Sequence, residues 1–228
     1  MRADSQAPDG GAGRPGQART PAEVRAFFGP RAATWEDRFP DDGPAYAAAV
    51  AGLGLRPGDR VLDAGCGTGR ALPPLREAVG PTGTVLGIDV TPEMLDEVAA
   101  HDRHHLALPV LGDVTRLPLR PGVLDAVFAA GLLTHLPDPL RQLTELARVV
   151  RPGGMLALFH PLGRAALAAR KGYPLTDEDL RAEPRLTAAL AATGWDLRSY
   201  VDEDARFLAV AVRRPDAADG PRPAPEEA

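Results

Sequence analysis

From residue 60 onward, short apolar blocks alternate with stretches whose apolar residues recur at helical spacing. RVLDAG (60–65) is a compact apolar strand, and TGRALPPLREAVG (68–80) follows with helix spacing. Pro73 and Pro74 sit awkwardly in its first turns, since proline donates no helix hydrogen bond. GTVLGIDV (83–90) is a second strand. TPEMLDEVAAH (91–101) opens as a helix should, with Thr91 as N-cap, Pro92 at the first helical position and acids in the first turn. LALPVLGD (106–113) and VLDAVFAAG (123–131) are strands three and four. In DPLRQLTELARVVRPGG (138–154), Leu140, Leu143, Leu146, Ala147 and Val150 share one helix face, and Pro152-Gly153-Gly154 is expected to end it. MLALFHP (155–161) is strand five, and LTAALAATGW (186–195) is helical up to Gly194. DLRSYVDED and ARFLAVAVRR, ending at residue 214, form a closing antiparallel pair.

Strands alternating with helices predict an α/β fold, a doubly wound, Rossmann-like, mostly parallel sheet covered on both faces. The last two strands, with no helix between them, predict an antiparallel edge. The glycine- and proline-rich ends, 1–20 and 213–228, read as disordered tails around a single domain over 21–212. Ligands of such sheets bind beyond the carboxyl ends of the strands.

Composition narrows the function classes. Of 228 residues, 44% are hydrophobic and 25% charged, as in an ordinary globular chain. The net charge of −5 argues against broad nucleic-acid binding. No apolar run reaches the ~20 residues of a membrane helix, and the first 20 residues have no apolar secretory core. Cys66, the single cysteine, can form no disulfide within the chain and no zinc site alone, which fits a cytoplasmic home. The HDRHH run, with His101, His104 and His105, reads as a surface turn, and no metal site is expected.

The chemistry concentrates in VLDAGCGTGR (61–70), where Asp63 precedes Gly65, Gly67 and Gly69. A glycine-rich strand-to-helix turn lets a ligand approach the backbone. The third glycine comes one residue too early for a dinucleotide fingerprint, and no Gly-Lys-Ser/Thr follows to make a phosphate loop. The Asp63 carboxylate would repel a pyrophosphate and attract an ammonium group. Asp89, 20 residues past Gly69, suits two ribose hydroxyls. Gly112-Asp113-Val114 suits an adenine edge. A ligand with an ammonium group, a ribose and an adenine but no pyrophosphate is S-adenosylmethionine.

At these residues the sequence resembles the class I S-adenosylmethionine-dependent methyltransferases, in the small-molecule branch typified by ubiquinone and menaquinone biosynthesis. Residues 61–70, 86–95, 111–118, 123–138 and 151–160 look like that family's successive motifs. The resemblance implies a seven-stranded sheet whose seventh strand is antiparallel. It places Asp63 and the Gly65, Gly67 and Gly69 backbone at the methionine end of the cofactor, Asp89 on the ribose, and Val90 and Met94 near the adenine. Asp113 and Val114 would meet the adenine edge, and Ala129 would lie near the sulfonium. Cys66 lies within this cofactor loop as a small packed residue, not a nucleophile. His135 and His160, after strands four and five, are the candidate bases or substrate contacts. Trp35, Arg164 and Tyr173 are candidate acceptor walls, while Asp138 reads as a helix N-cap. The helical segment 21–50, with Phe27, Phe28, Trp35 and Phe39, is expected to cap the cofactor. The implied reaction is in-line methyl transfer to a small-molecule acceptor, with oxygen the first choice of acceptor atom and nitrogen or carbon next. No nucleic-acid or membrane partner is implied, and monomer and homodimer stay open. Two alternatives stand beside this reading: a protein that binds S-adenosylmethionine or S-adenosylhomocysteine without catalysis, and a nicotinamide-dependent oxidoreductase.

Overall fold

The computed structural model describes residues 20–38 and 42–215. The apolar blocks become seven strands: β1 (Arg60–Ala64), β2 (Thr84–Asp89), β3 (Leu108–Leu111), β4 (Leu124–Ala130), β5 (Val150–His160), β6 (Trp195–Glu203) and β7 (Arg206–Arg213). They form one sheet in the order β3-β2-β1-β4-β5-β7-β6. The first five run parallel, with Leu62 opposite Leu86 on β2 and Val127 on β4. β7 pairs antiparallel with both β5 and β6, so the antiparallel pair closes that edge with β6 outermost. This is the expected seven-stranded, mostly parallel sheet.

Alternation along the strands feeds two cores. Leu62, Ile88, Val127 and Leu158 point to one face, where they meet α5 (Pro139–Val149) and α7 (Glu183–Ala192) through Leu143, Leu146, Leu186 and Leu190. Val61, Val85, Phe128 and Phe159 point to the other, against α2 (Gly43–Ala51), α3 (Leu72–Val79) and α4 (Pro92–Ala100). Burying such side chains is the main favourable term in folding. Trp195, fully buried, also donates its indole N–H to the Leu143 carbonyl at 2.9 Å, pinning β6 to α5. Among the described residues, no helix is long and apolar enough to cross a membrane.

Boundaries differ from expectation in four places, each for a local reason. α3 begins at Leu72, so Pro73 and Pro74 fall in the first turn, where their missing N–H groups have no helical partner to lose. α5 stops at Val149, and Pro152-Gly153-Gly154 belongs to β5 rather than to a helix end. A Cβ on Gly154 would meet the Asp125 carbonyl at 2.6 Å, so glycine here permits a close strand approach, beside a register shift in the β4–β5 ladder. A further helix, α6 (Arg164–Lys171), fills the stretch after β5. Arg213, where the expected last strand and the expected tail overlapped, ends β7 and donates to the Ala147 carbonyl at 2.8 Å. The remainder of the expected tails, 1–19 and 216–228, lies outside the described residues, as does Phe39.

The turn from β1 to α3 passes through Gly65, Gly67 and Gly69 at φ of 72°, 54° and 83°. A Cβ on Gly69 would sit 2.8 Å from Leu72 Cδ1 and 3.3 Å from Val98 Cγ2. Gly69→Ala is therefore expected to destabilise by about 2–4 kcal/mol, combining backbone strain with overpacking. Gly54→Ala, also at positive φ but with open space around it, should cost only about 1 kcal/mol. Urea midpoints compare the two, and equal losses would contradict the packing argument.

Candidate active site

The carboxyl ends of β1, β2, β4 and β5, the loop after β3 and the segment 20–38 enclose one cleft of about 1150 Å³. Its floor is the glycine turn. Gly65 and Cys66 both donate to the Ile88 carbonyl, at 2.8 and 3.0 Å, and Gly67 donates to Asp89 Oδ2 at 2.9 Å. Asp89 Oδ1 accepts from the Thr91 backbone at 2.8 Å, so this one carboxylate ties the turn after β1 to the start of α4. Cys66 fits beside β2 because Gly87 has no side chain; a Cβ there would stand 3.1 Å from Cys66 Sγ.

Asp63 lies at the bottom of the cleft, 1% exposed, and its Oδ2 has no hydrogen-bond partner among the described residues. Burial, with the Asp89 charge adding to it, pushes its carboxyl up to about 8. Burial also raises Asp89, though the Thr91 and Gly67 N–H groups oppose the shift. The Cys66 thiol is pushed up by burial and by both carboxylates, so it stays protonated and unreactive at neutral pH.

The helical segment 20–38 covers the cleft. α1 (Pro21–Phe28) starts on a capping box, in which Glu23 N–H donates to Thr20 Oγ1 at 3.3 Å and Thr20 N–H to Glu23 Oε2 at 2.7 Å. Arg25 donates to the Val90 carbonyl at 2.8 Å, at the β2 side. Glu36 accepts from Thr68 Oγ1 at 2.5 Å, from Arg103 at 2.7 Å and from Arg70 at 3.2 Å, and Arg70 also reaches Asp42 at 2.7 Å. Burial works against the Glu36 charge, yet the hydrogen bonds and charges of Arg103, Thr68 and Arg70 hold its carboxyl at about 2. On the β4 side, Phe28 meets His135 edge to face at 5.2 Å and Trp35 at 5.4 Å.

Most of the residues singled out by sequence come together here. Asp63, Gly65, Cys66, Gly67, Asp89, Val90, Met94, Asp113, Val114, Trp35, His135 and His160 all line the cleft. Four do not. Gly69 packs under Leu72, away from the lining. Ala129 is 2% exposed and faces the α5 core; its neighbours Ala130 and Gly131 line the cleft instead, a one-residue slip that flips the face of a strand. Arg164 is 8% exposed and bound to Asp179 and Asp202, at 3.3 and 3.5 Å, so it braces α6 rather than walling the cleft. Tyr173 also lies off the lining, which ends at Gly172. Asp138 is the expected N-cap, accepting from Arg141 N–H at 3.0 Å. Burial lowers His160 to about 4, with the nearby Arg181, Lys171 and Arg170 charges adding to the shift, and its Nδ1 sits against the Leu162 backbone.

Comparison with known proteins bears on this arrangement. Residues 62–158 match the methyltransferase domain family. A demethylmenaquinone methyltransferase of Staphylococcus aureus is 40% identical over 108 residues, 46% of this chain and 44% of that protein. An uncharacterized 37.1 kDa protein in a transposon of Streptomyces fradiae is 42% identical over 110 residues, 48% of this chain and 32% of its own length. The chain thus spans less than half the length of either relative. A crystal structure described as an S-adenosylmethionine-dependent methyltransferase from Aquifex aeolicus superposes with a TM-score of 0.62 at 26% identity, covering 86% of this chain and 99% of that one.

Over residues 62–158, then, the chain matches a methyltransferase domain, and its fold is that of the S-adenosylmethionine-dependent methyltransferase structure. The residues that sequence reasoning missed are Glu36, Arg70 and Arg103, which bind the covering segment to the glycine turn. Their spacing of 34 and 67 residues carries no local pattern.

Asp63 makes the methyltransferase domain pH-sensitive in a stated direction. Unfolded, an aspartate titrates near ~4; folded, Asp63 holds its proton up to about 8. Between these values unfolding releases a proton, so Asp63 lowers stability as pH rises, by up to about 1.4 kcal/mol per pH unit. Asp63→Asn should gain stability relative to wild type between about pH 5 and pH 8. Urea titrations at the two pH values measure this, and a pH-independent difference would contradict the assignment.

Proposed function

We propose that this chain transfers a methyl group from S-adenosylmethionine to a small-molecule acceptor, and that it works in the cytoplasm as a monomer or homodimer. The observation that carries the reading is the unpartnered, buried Asp63 carboxyl facing the cleft. Such a group is costly unless a cation or donor meets it, and the amino-acid end of this cofactor bears an ammonium group. The other residues present fit the rest of the cofactor. Each Asp89 oxygen already accepts one backbone N–H and keeps a lone pair for a ribose hydroxyl. Val90 and Met94 offer an apolar shelf for adenine, and Asp113 can accept from its exocyclic amine beside the Val114 backbone. A Cβ on Gly67 would meet only Met94 Sδ, at 4.0 Å, so the Gly67 backbone is open to a ligand.

When bound, S-adenosylmethionine supplies a methyl carbon made electrophilic by a positively charged sulfur. This chain's residues then have to align an acceptor and exclude water. Phe27, Phe28, Trp35 and His135 form an aromatic wall between the covering segment and β4, and Ala130 and Gly131 leave room at the end of β4. The described residues of the segment 21–50 act as a lid over this space. His160 is neutral at physiological pH and offers a hydrogen bond to the acceptor; with its conjugate acid near 4 it is a weak base. That suits a hydroxyl acidic enough to lose its proton readily, such as a phenol or enol, which favours oxygen as the acceptor atom.

The test is transfer of labelled methyl from S-adenosylmethionine to panels of phenols, enols, amines and carbon acids. Transfer to a phenolic or enolic hydroxyl is expected, with Asp89→Ala raising the cofactor KM and His160→Ala lowering kcat about tenfold or more. S-Adenosylhomocysteine binding with no transfer to any panel would contradict the reading and leave a binding protein.

A further inference from the structure

α4 ends at Ala100, and the turn 101–105 that follows has two sides. Arg103 points inward, donating to Glu36 Oε1 at 2.7 Å and to the Thr68 carbonyl at 2.9 Å. Its neighbours point out. Asp102 has φ of 54°, the left-handed conformation that aspartate tolerates better than most residues. This fold of the backbone brings the Asp102 carboxylate to the two histidines that follow. Asp102 Oδ1 lies 3.9 Å from His104 Nδ1 and 3.7 Å from His105 Nδ1. One ligand atom from each of the three residues lies within 4.8 Å of the others, and all three side chains are exposed.

That spacing is close to a coordination shell. Zinc sits about 2.0–2.2 Å from imidazole nitrogen and carboxylate oxygen, so tetrahedral ligand atoms stand about 3.4 Å apart. The two Asp102–histidine separations, 3.9 and 3.7 Å, exceed this by a few tenths of an ångström, and all three ligand atoms lie within 4.8 Å of one another, so rotations of the exposed side chains close the shell. Two imidazoles and one carboxylate favour zinc, cobalt, nickel or copper over calcium or magnesium, which prefer oxygen donors. The spacing in HDRHH does not show this grouping, because a carboxylate preceding the histidines meets them only when the backbone between reverses. None of the three side chains lines the cleft.

We propose that Asp102, His104 and His105 bind one divalent transition-metal ion on the outer side of this turn. Three protein ligands leave a fourth position for water or a donor from another molecule. The inner side of the same turn holds Glu36 and Thr68, so a bound ion stiffens the attachment of the covering segment to the glycine turn.

The test is calorimetric titration of zinc chloride into the full chain carrying no affinity tag. One equivalent should bind, and the double variant His104→Ala/His105→Ala should bind at least about a hundredfold more weakly. Asp102→Asn, which keeps the left-handed backbone, should weaken zinc by about tenfold without altering the thermal midpoint of the metal-free chain. Cobalt titration should show visible bands that the double variant lacks. The proposal is overturned if no saturable zinc binding occurs, or if the double variant binds as the wild type does.

Discussion

A carboxyl group buried without a partner, Asp63 at the end of β1, is the constraint around which the cleft is arranged. The sheet supplies its position: β1 runs between β2 and β4, so its last residues are shielded on both sides. The glycine turn then has to leave the strand without covering the carboxyl from above. Positive φ at Gly65 and Gly67 does this, and Asp89 holds the turn by its backbone N–H. Two acids so close to one another in a dry site cannot both ionise easily. The wild-type chain tolerates the conflict by keeping Asp63 protonated, and a cationic ligand would relieve it.

The covering segment belongs to the same electrostatic design. Glu36 enters a ring of Arg70, Arg103 and Thr68, all attached to the turn or to the end of α4. Its carboxyl stays ionised at about 2 because those donors outweigh its burial. The two acids beside the glycine turn therefore take opposite states: Glu36, ringed by arginines, is charged, and Asp63, without a donor, is neutral. On the far side the segment relies on aromatic contacts instead: Phe28, packed on Trp35 of the same segment, meets His135. One end of the lid is thus held by charge and the other by ring packing, which places the apolar wall where the acceptor is proposed to sit.

Much of this was legible in the sequence where the signal was local. The run of strands and helices, the Asp63 turn and Asp89 all follow from short patterns with one physical reading. The failures are equally physical. Ala129 and Ala130 are both small apolar residues on one strand, and composition does not say which of them faces the cleft. Gly69 shares its spacing with two glycines of the lining, but its role is to make room for Leu72. Pro152-Gly153-Gly154 looks like a helix stop, yet tertiary pairing with β4 draws it into β5. Arg164 reads as available in the sequence because Asp179 and Asp202, which bind it, are distant along the chain. The Glu36 ring was invisible for the same reason: its members meet only after folding.

The most direct measurement of the central claim is calorimetric titration of S-adenosylhomocysteine at about pH 6.5, where the ligand's amine is protonated, in two buffers of different ionisation enthalpy. If the Asp63 carboxyl awaits a cation, binding releases about one proton per site, and Asp63→Asn releases none. Binding by the wild type without proton release, or no binding at all, would contradict the account.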